Sequence, residues 1–322
     1  MKRYLITDKK YGEIVDSQRN HYNLSELHQE ILFIYKEIKR VCDKYNLRYF
    51  AEGGTWVGAM LRNAILLNDD DLDIRMPRAD FNKLIEVAKK ELPPHLELLN
   101  YTNSPYSRAN MVKVHNINTT FIESSKKNAP MEWGGVFVDI VPYDNAPDYW
   151  LEREELYYEG TRLYVYNILR KKNEIKLNLF KYKTNTWWHW LGVENDIKLP
   201  NNIFSMFALY IFIMLHSVNY YAKKLDELWQ GFENDESIYI TCPERPWEKE
   251  GRILYVKRND YGGSIQQKFY DTTIPVPIGY QGLNIQSYGY PARIEDTTKK
   301  LADGFLDLKC SYKKYRIKAI RH

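Results

Sequence analysis

Two short stretches of this chain hold residues whose types and spacing could do chemistry. The first reads Glu52-Gly53-Gly54-Thr55-Trp56-Val57-Gly58-Ala59. Its two adjacent glycines leave an apolar run and enter a helix-like segment. The backbone there can approach a ligand closely and aim its N–H groups outward, a setting that favours phosphate. The second stretch reads Asp69-Asp70-Asp71-Leu72-Asp73-Ile74-Arg75-Met76-Pro77-Arg78. Leu72, Ile74 and Met76 alternate with charged residues, which reads as a strand, so Asp71 and Asp73 share one face. Two carboxylates on one face repel unless something positive lies between them. A hard divalent cation, Mg²⁺ or Mn²⁺, favours that arrangement, with substrate phosphates completing its shell. A glycine turn for phosphate followed by an Asp-x-Asp strand for metal is a kit for chemistry on a nucleotide. An isolated acidic run is more often a solvated loop. The apolar frame and the nearby glycine turn argue against that here.

Other candidates lie further on. Residues 136–141 read as a buried strand with Asp139 in its middle. A lone carboxylate there is costly unless it accepts backbone N–H bonds, pairs with a cation or binds metal. Lys113 sits on a strand running toward this region, where it balances phosphate charge or simply faces solvent. Arg75 and Arg78 flank the exit of the acidic strand, where a guanidinium can grip phosphate through two hydrogen bonds.

Certain elements must position these groups. Leu27, Ile31, Ile34, Ile38 and Val41 recur at helical spacing, which predicts an amphipathic helix over 25–45 with Ser25 as its N-cap. Residues 47–52 then form the first sheet strand, and 55–63 a helix whose N-terminus faces the phosphate site. Pro77 ends the acidic strand, and 78–92 is a helix stopped by Pro93-Pro94. Short strands follow at 96–99, 110–114 and 119–123, with a turn at 116–118. Residues 1–22 read as an arm or a short hairpin, and 299–322 as a basic helix with a loose end.

From Tyr149 the character changes. Residues 149–172 are helical and rich in charge and tyrosine, and Thr186-Trp187-Trp188-His189-Trp190-Leu191 is an aromatic cluster. Residues 203–215 are almost wholly apolar but too short to span a bilayer. They form either a buried helix or an interfacial one. Lys171, Lys172, Lys181, Lys183, Lys223 and Lys224 are compatible with an anionic membrane surface. His189 and His216 are isolated and read as packed or exposed rather than catalytic.

Composition sets the outer bounds. The 322 residues could hold one large or two modest domains, and 44% hydrophobic content suffices for a core. A net charge of +4 gives no reason to expect a nucleic-acid partner. The 27 tyrosines suit an AT-rich genome or a carbohydrate-binding surface. Cys42, Cys242 and Cys310 make neither a disulfide framework nor a metal spacing, which suits a reducing compartment. The first residues lack the apolar core of a signal peptide. The expected location is therefore cytoplasmic, at the inner face of a membrane if the 203–215 helix is interfacial.

Taken together, these blocks resemble the LicD/fukutin family of phosphotransferases. The matching residues are Gly53, Gly54, Thr55, Gly58, Ala59, Asp69, Asp70, Asp71, Asp73, Ile74, Met76, Pro77 and Arg78. The run Gly135-Val136-Phe137-Val138-Asp139-Ile140-Val141-Pro142 is similar to a later family motif. Phe269-Tyr270, Ile274-Pro275-Val276-Pro277 and Tyr288-Gly289-Tyr290 are similar to its C-terminal segment. The resemblance spans 25–145 and 265–291 and leaves 150–260 unmatched. Where the family has Arg-His this chain has Leu61-Arg62, and Tyr288-Gly289-Tyr290 lacks the family's Asp.

The resemblance implies a nucleotidyltransferase-like mixed α/β (α+β) fold, with residues 1–148 as the catalytic core. Residues 149–322 would be a helical, aromatic-rich region wrapping that core and binding donor or acceptor. It implies transfer of a phospho-alcohol, foremost phosphocholine, from a CDP-linked donor such as CDP-choline to a hydroxyl of a surface glycan, and an acceptor carried on a lipid would suit an interfacial helix over 203–215. CDP-ribitol and CDP-glycerol donors are neighbouring possibilities. Asp71, Asp73 and Asp139 would hold Mg²⁺ or Mn²⁺, with one of them as base. Gly53, Gly54, Thr55, Arg62, Arg78 and Lys113 would meet the donor's phosphates. An aromatic box for a quaternary ammonium could come from Trp133, Trp187, Trp188, Trp190 or Trp247. Two other readings fit the same residues. One is a nucleotidyltransferase passing NMP to a small molecule. The other is a non-catalytic glycan- or nucleotide-binding protein.

Overall fold

The computed structural model describes residues 3–9, 24–104, 110–126, 130–172, 202–242, 255–293 and 304–320. A central sheet is built from β2 (Phe50–Ala51), β3 (Asp73–Pro77), β7 (Phe137–Ala146), β5 (Val112–Asn116) and β4 (Leu96–Leu99), in that spatial order. Only β3 and β7 run parallel; the other neighbours along that path are antiparallel. The distal end of β7 pairs antiparallel with β8 (Tyr239–Thr241), which in turn pairs with β9 (Tyr255–Lys257).

One face of the sheet carries Ile74 and Met76 of β3, Val138 and Ile140 of β7, and Val112 and Val114 of β5. All six are buried in one cluster with Leu27, Ile31, Ile34, Ile38 and Val41 of α1 (Leu24–Tyr45). Phe81 and Leu84 of α3 (Arg78–Glu91) join the same cluster. The 3.6-residue spacing seen in the sequence is thus the stripe that α1 lays on the sheet. Strand alternation sends Asp73, Asp139 and Lys113 to the opposite face.

The second half of the chain adds Ile240, Phe269, Ile274, Val276 and Leu283 to this core, while its first helices pack in clusters of their own. The helix expected over 149–172 is α4 (Trp150–Lys172), followed by α5 (Ile203–Leu215) and α6 (Val218–Gln230). Beyond them the chain turns to strands. The hairpin of β10 (Ser264–Phe269) and β11 (Thr272–Pro277) leads to α7 (Tyr280–Tyr288). β12 (Gly304–Asp307) pairs with β6 (Thr120–Glu123), and β13 (Tyr315–Ile320) with β1 (Arg3–Asp8). The helix expected for the C-terminal tail is therefore replaced by strands. Tyr315-Arg316-Ile317-Lys318 alternates with period two, and a sheet partner at the opposite end of the chain decides in its favour. The N-terminal segment likewise makes no hairpin of its own at 3–8.

The apolar helix α5 is not a buried one. Phe204 is 84% and Leu215 75% exposed, while Ile213 packs against Val165 and Leu169 of α4. Among the described residues no helix is long and apolar enough to cross a membrane.

Candidate active site

The glycine turn stands where the sequence places it. α2 (Gly54–Arg62) begins after Gly53, whose φ of 54° lies in the left-handed region that favours glycine. A side chain at Gly54 would collide with the Asp69 carboxylate. Thr55 is committed to structure: its N–H bonds the carbonyl of Glu52, and its Oγ1 accepts from the Asp73 N–H at 2.9 Å. The Thr55 hydroxyl therefore ties the turn to β3. Gly53 and Gly54 stand at the N-terminus of α2, the place where backbone N–H groups favour a phosphate.

The acidic run enters β3 later than its alternation suggests. Asp73 is the first strand residue, and Asp69, Asp70 and Asp71 precede it in a loop. Their carboxylate oxygens lie within 4.8 Å of one another. Asp69 belongs to this group although its loop position carries no strand period. Its backbone carbonyl is held by His28 Nε2 of α1 at 2.7 Å. The two residues lie 41 apart in sequence, so no local pattern announces that contact.

Asp73 and Asp139 are register partners on the parallel pair β3 and β7, and Lys113 is the partner of Asp139 across β5. Lys113 Nζ lies 2.8 Å from Asp139 Oδ1 and 3.0 Å from Oδ2, and sits 3.2 Å from the centre of the Phe137 ring. This lysine is half-buried and paired; burial holds its pKa below the usual value. Asp139 Oδ1 is buried without a hydrogen bond of good geometry.

The electrostatics follow from this crowding. Burial pushes Asp71 far above the usual carboxylate range, and the charges of Asp73 and Asp69 push it further. Burial and the neighbouring Asp139 do the same to Asp73. Asp69 and Asp71 lie close enough that each acts on the other's proton, and burial raises Asp69 as well. A cluster of this kind suits a divalent cation. Oxygen donors are gathered, and mutual repulsion and burial raise the cost of their negative charge, which a bound cation would offset.

The two arginines after Asp73 serve other ends. Arg75 is fully buried and bonds Glu52 through Nε at 2.7 Å, and Tyr261 donates to the same carboxylate oxygen at 2.9 Å. That knot joins β2, β3 and the C-terminal third. Arg78 grips both oxygens of Asp144, at 2.6 and 2.7 Å, and reaches Asp226 of α6 at 2.9 Å. It lies past the far end of β3, about 16 Å along the chain from Asp73 by strand rise. Its guanidinium is spent on docking α6 to β7. Arg62 is at the last turn of α2, opposite the glycine turn; its charge is felt by His28.

Trp133 is buried, and its indole N–H donates to the Lys126 carbonyl at 3.0 Å, so it offers no open face to a quaternary ammonium. Trp187, Trp188, Trp190, Trp247 and His189 lie outside the described residues. His216 stacks on Tyr220 at 4.1 Å, a packed position as expected.

Residues 46–169 match the family model for the LicD/FKTN/FKRP nucleotidyltransferase domain. The lipopolysaccharide cholinephosphotransferase LicD of Haemophilus influenzae is 25% identical over 254 residues, which are 77% of this chain and 83% of that protein. Uncharacterised proteins of Rickettsia prowazekii and Rickettsia typhi are 29% and 27% identical over 149 residues, 46% of this chain. That match spans 52% and 44% of their own lengths. No solved structure matches.

Proposed function

Because the chain carries a LicD-type nucleotidyltransferase domain over residues 46–169, we propose that it is a metal-dependent phosphotransferase. In this reading it moves phosphocholine from CDP-choline to a hydroxyl of a glycan. The observation that carries the reading is the gathering of Asp69, Asp70 and Asp71 next to the Gly53-Gly54 turn, close enough to the register partners Asp73 and Asp139 for their charges to act on Asp71. Asp71, Asp73 and Asp139 hold Mg²⁺ or Mn²⁺, with Asp69 as a fourth oxygen donor. The bound ion supplies charge neutralisation for the donor's diphosphate.

The chain's own groups do the rest. The N–H groups of Gly53 and Gly54 orient the diphosphate by hydrogen bonds. Lys113 holds Asp139 in place and adds positive charge where the transferred phosphoryl group becomes more negative. A carboxylate of the cluster takes the proton of the acceptor hydroxyl. The acceptor oxygen bonds to the phosphorus that bears choline, the bond from that phosphorus to the bridging oxygen breaks, and CMP leaves with the bonding electrons.

The phosphocholine half rests on likeness to the Haemophilus protein, whose name gives that activity and lipopolysaccharide as its object. An acceptor carried on a lipid fits the exposed apolar face of α5. The test is a transfer assay with CDP-choline, CDP-ribitol, CDP-glycerol and CTP, with and without Mg²⁺. CMP release with one CDP-alcohol, lost on Asp71→Asn or Asp139→Asn, supports the reading. Pyrophosphate release from CTP would instead make the protein an NMP transferase, and silence with every donor would leave a binding protein.

A further inference from the structure

The site described so far is short of groups that can hold a nucleotide. It is lined by carboxylates, and the three cations on β3, α3 and β5 already hold carboxylates of this chain. Arg75 is bonded to Glu52, Arg78 to Asp144 and Asp226, and Lys113 to Asp139. Gly53 and Gly54 can reach a diphosphate, but nothing named above faces a base or a ribose.

The missing wall is supplied by the C-terminal end of α7. A Cβ placed on Gly53 would touch the hydroxyl of Tyr288 at 3.4 Å. Tyr288 therefore stands directly over the glycine turn, on the side of Gly53, while Asp69 borders Gly54. This placement is anchored. Asn284 is buried on α7; its Oδ1 accepts from the Trp56 indole N–H of α2 at 3.1 Å. Its Nδ2 donates to the Tyr290 carbonyl at 2.9 Å. One side chain thus fixes α7 to α2 and fixes the two residues after α7 to both. Gly289, at φ 81°, closes the helix and swings the chain back so that Tyr290 faces Tyr288. Their ring centres are 6.3 Å apart at 31°. The Arg293 guanidinium lies 4.0 Å over the Tyr290 ring. Tyr288 is 47% exposed, and Arg293 is exposed as well.

A hydroxyl donor, two aromatic faces and a guanidinium in one row, ending at a phosphate-binding turn, match the chemistry of a nucleotide. Tyrosine rings stack on bases, and a guanidinium pairs with phosphate or stacks on a base. We propose that Tyr288, Tyr290 and Arg293 form the nucleotide-binding wall of the site. Tyr288 donates its hydroxyl proton to a phosphate oxygen of the donor, and Tyr290 with Arg293 holds the cytidine half. The choline half points away from this wall. The inference rests on the nucleotide-donor reading above and adds which residues hold which half of the donor.

The test is calorimetric titration of the full-length protein with CMP and, separately, CDP-choline, in the presence of Mg²⁺. Tyr288→Phe keeps the ring and removes the hydroxyl. A hydrogen bond to a charged acceptor is worth at least about tenfold in affinity. Tyr288→Phe should therefore weaken CMP and CDP-choline by the same factor of about ten or more. Its melting temperature and the Mg²⁺-induced rise in melting temperature should match wild type. Arg293→Gln should weaken both ligands and flatten the salt dependence of binding. Wild-type affinity of Tyr288→Phe for both ligands overturns the wall while leaving the donor reading standing. So does a loss confined to CDP-choline, which would assign the wall to the alcohol half. A wild-type protein that takes up Mg²⁺ but neither nucleotide overturns the wall and the donor reading together.

Discussion

Binding of Mg²⁺ should expel protons, and the number expelled can be worked from the carboxylate geometry. The oxygens of Asp69, Asp70 and Asp71 lie within 4.8 Å of one another. Two unit charges at that separation repel by about 3 kcal/mol at an effective dielectric constant of about 20. Since about 1.4 kcal/mol corresponds to one pH unit, a single charged neighbour accounts for a rise of about two pH units. Burial of Asp71 and the charge of Asp73 act in the same direction and carry Asp71 past neutrality. At pH 7 the metal-free cluster therefore holds at least one proton, which a divalent cation must displace. Calorimetric titration with MgCl₂ in buffers of different ionisation enthalpy reads that number as a slope. We expect a release of at least about one proton at pH 7 and about a tenfold gain in apparent affinity from pH 6 to 7. Asp71→Asn should lower the count by about one. Binding at pH 7 with no proton release, or with an unchanged count in Asp71→Asn, would refute this account of the cluster's charge.

Two further outcomes follow from other parts of the fold. His115 is buried on β5; its Nδ1 accepts from the Gly135 N–H at 3.1 Å, and burial pushes its pKa down to about 4. A histidine depressed from 6.5 to about 4 binds its proton in the unfolded chain first, so stability falls as pH drops from 6.5 to about 4. At about 1.36 kcal/mol per pH unit that loss is about 3 kcal/mol. Urea unfolding at pH 7.5 and 4 should show wild type losing about that much more than His115→Asn, and equal losses would refute it. Phe207 and Ile211 of α5 are 57% and 43% exposed. If α5 lies on a membrane, wild type should sediment with vesicles containing anionic lipid, and Phe207→Ser/Ile211→Ser should not, at unchanged melting temperature. Wild-type protein that stays in the supernatant at every lipid concentration would sink that role.

Several features were legible because they are local. The stripe Leu27, Ile31, Ile34, Ile38 and Val41 has the period of a helix lying on a sheet, and α1 runs within one residue of the predicted span. Gly53-Gly54 opens α2 because only glycine sits easily at a φ of 54°. An aspartate inside the apolar run 136–141 demanded a partner, and Lys113 is that partner in the structure. Other features were hidden. The Asp-x-Asp pattern pointed to Asp71 and Asp73 as strand neighbours, but β3 starts at Asp73 and leaves Asp71 with Asp69 in a loop. Arg78 matched a family position, yet a sequence cannot show that Asp144 and Asp226 occupy it. The α5 run is apolar all round, a pattern that reads as buried, and burial is a property of what surrounds a helix rather than of the helix.

The sequence by itself determined the types of group, their local spacing and the alternation that sends Asp73, Asp139 and Lys113 to one side of the sheet. Backbone geometry over a few residues is enough for that, because side-chain direction follows from a period of two or of 3.6. Only the tertiary structure decided which distant groups meet. His28 with Asp69, Glu52 with Tyr261, Trp56 with Asn284 and Tyr288 with Gly53 are separated by 41, 209, 228 and, for the last, about as many residues. Each pairing exists because burying one apolar face forces the chain to close long loops. The polar groups brought inside must then find partners among whatever those loops deliver.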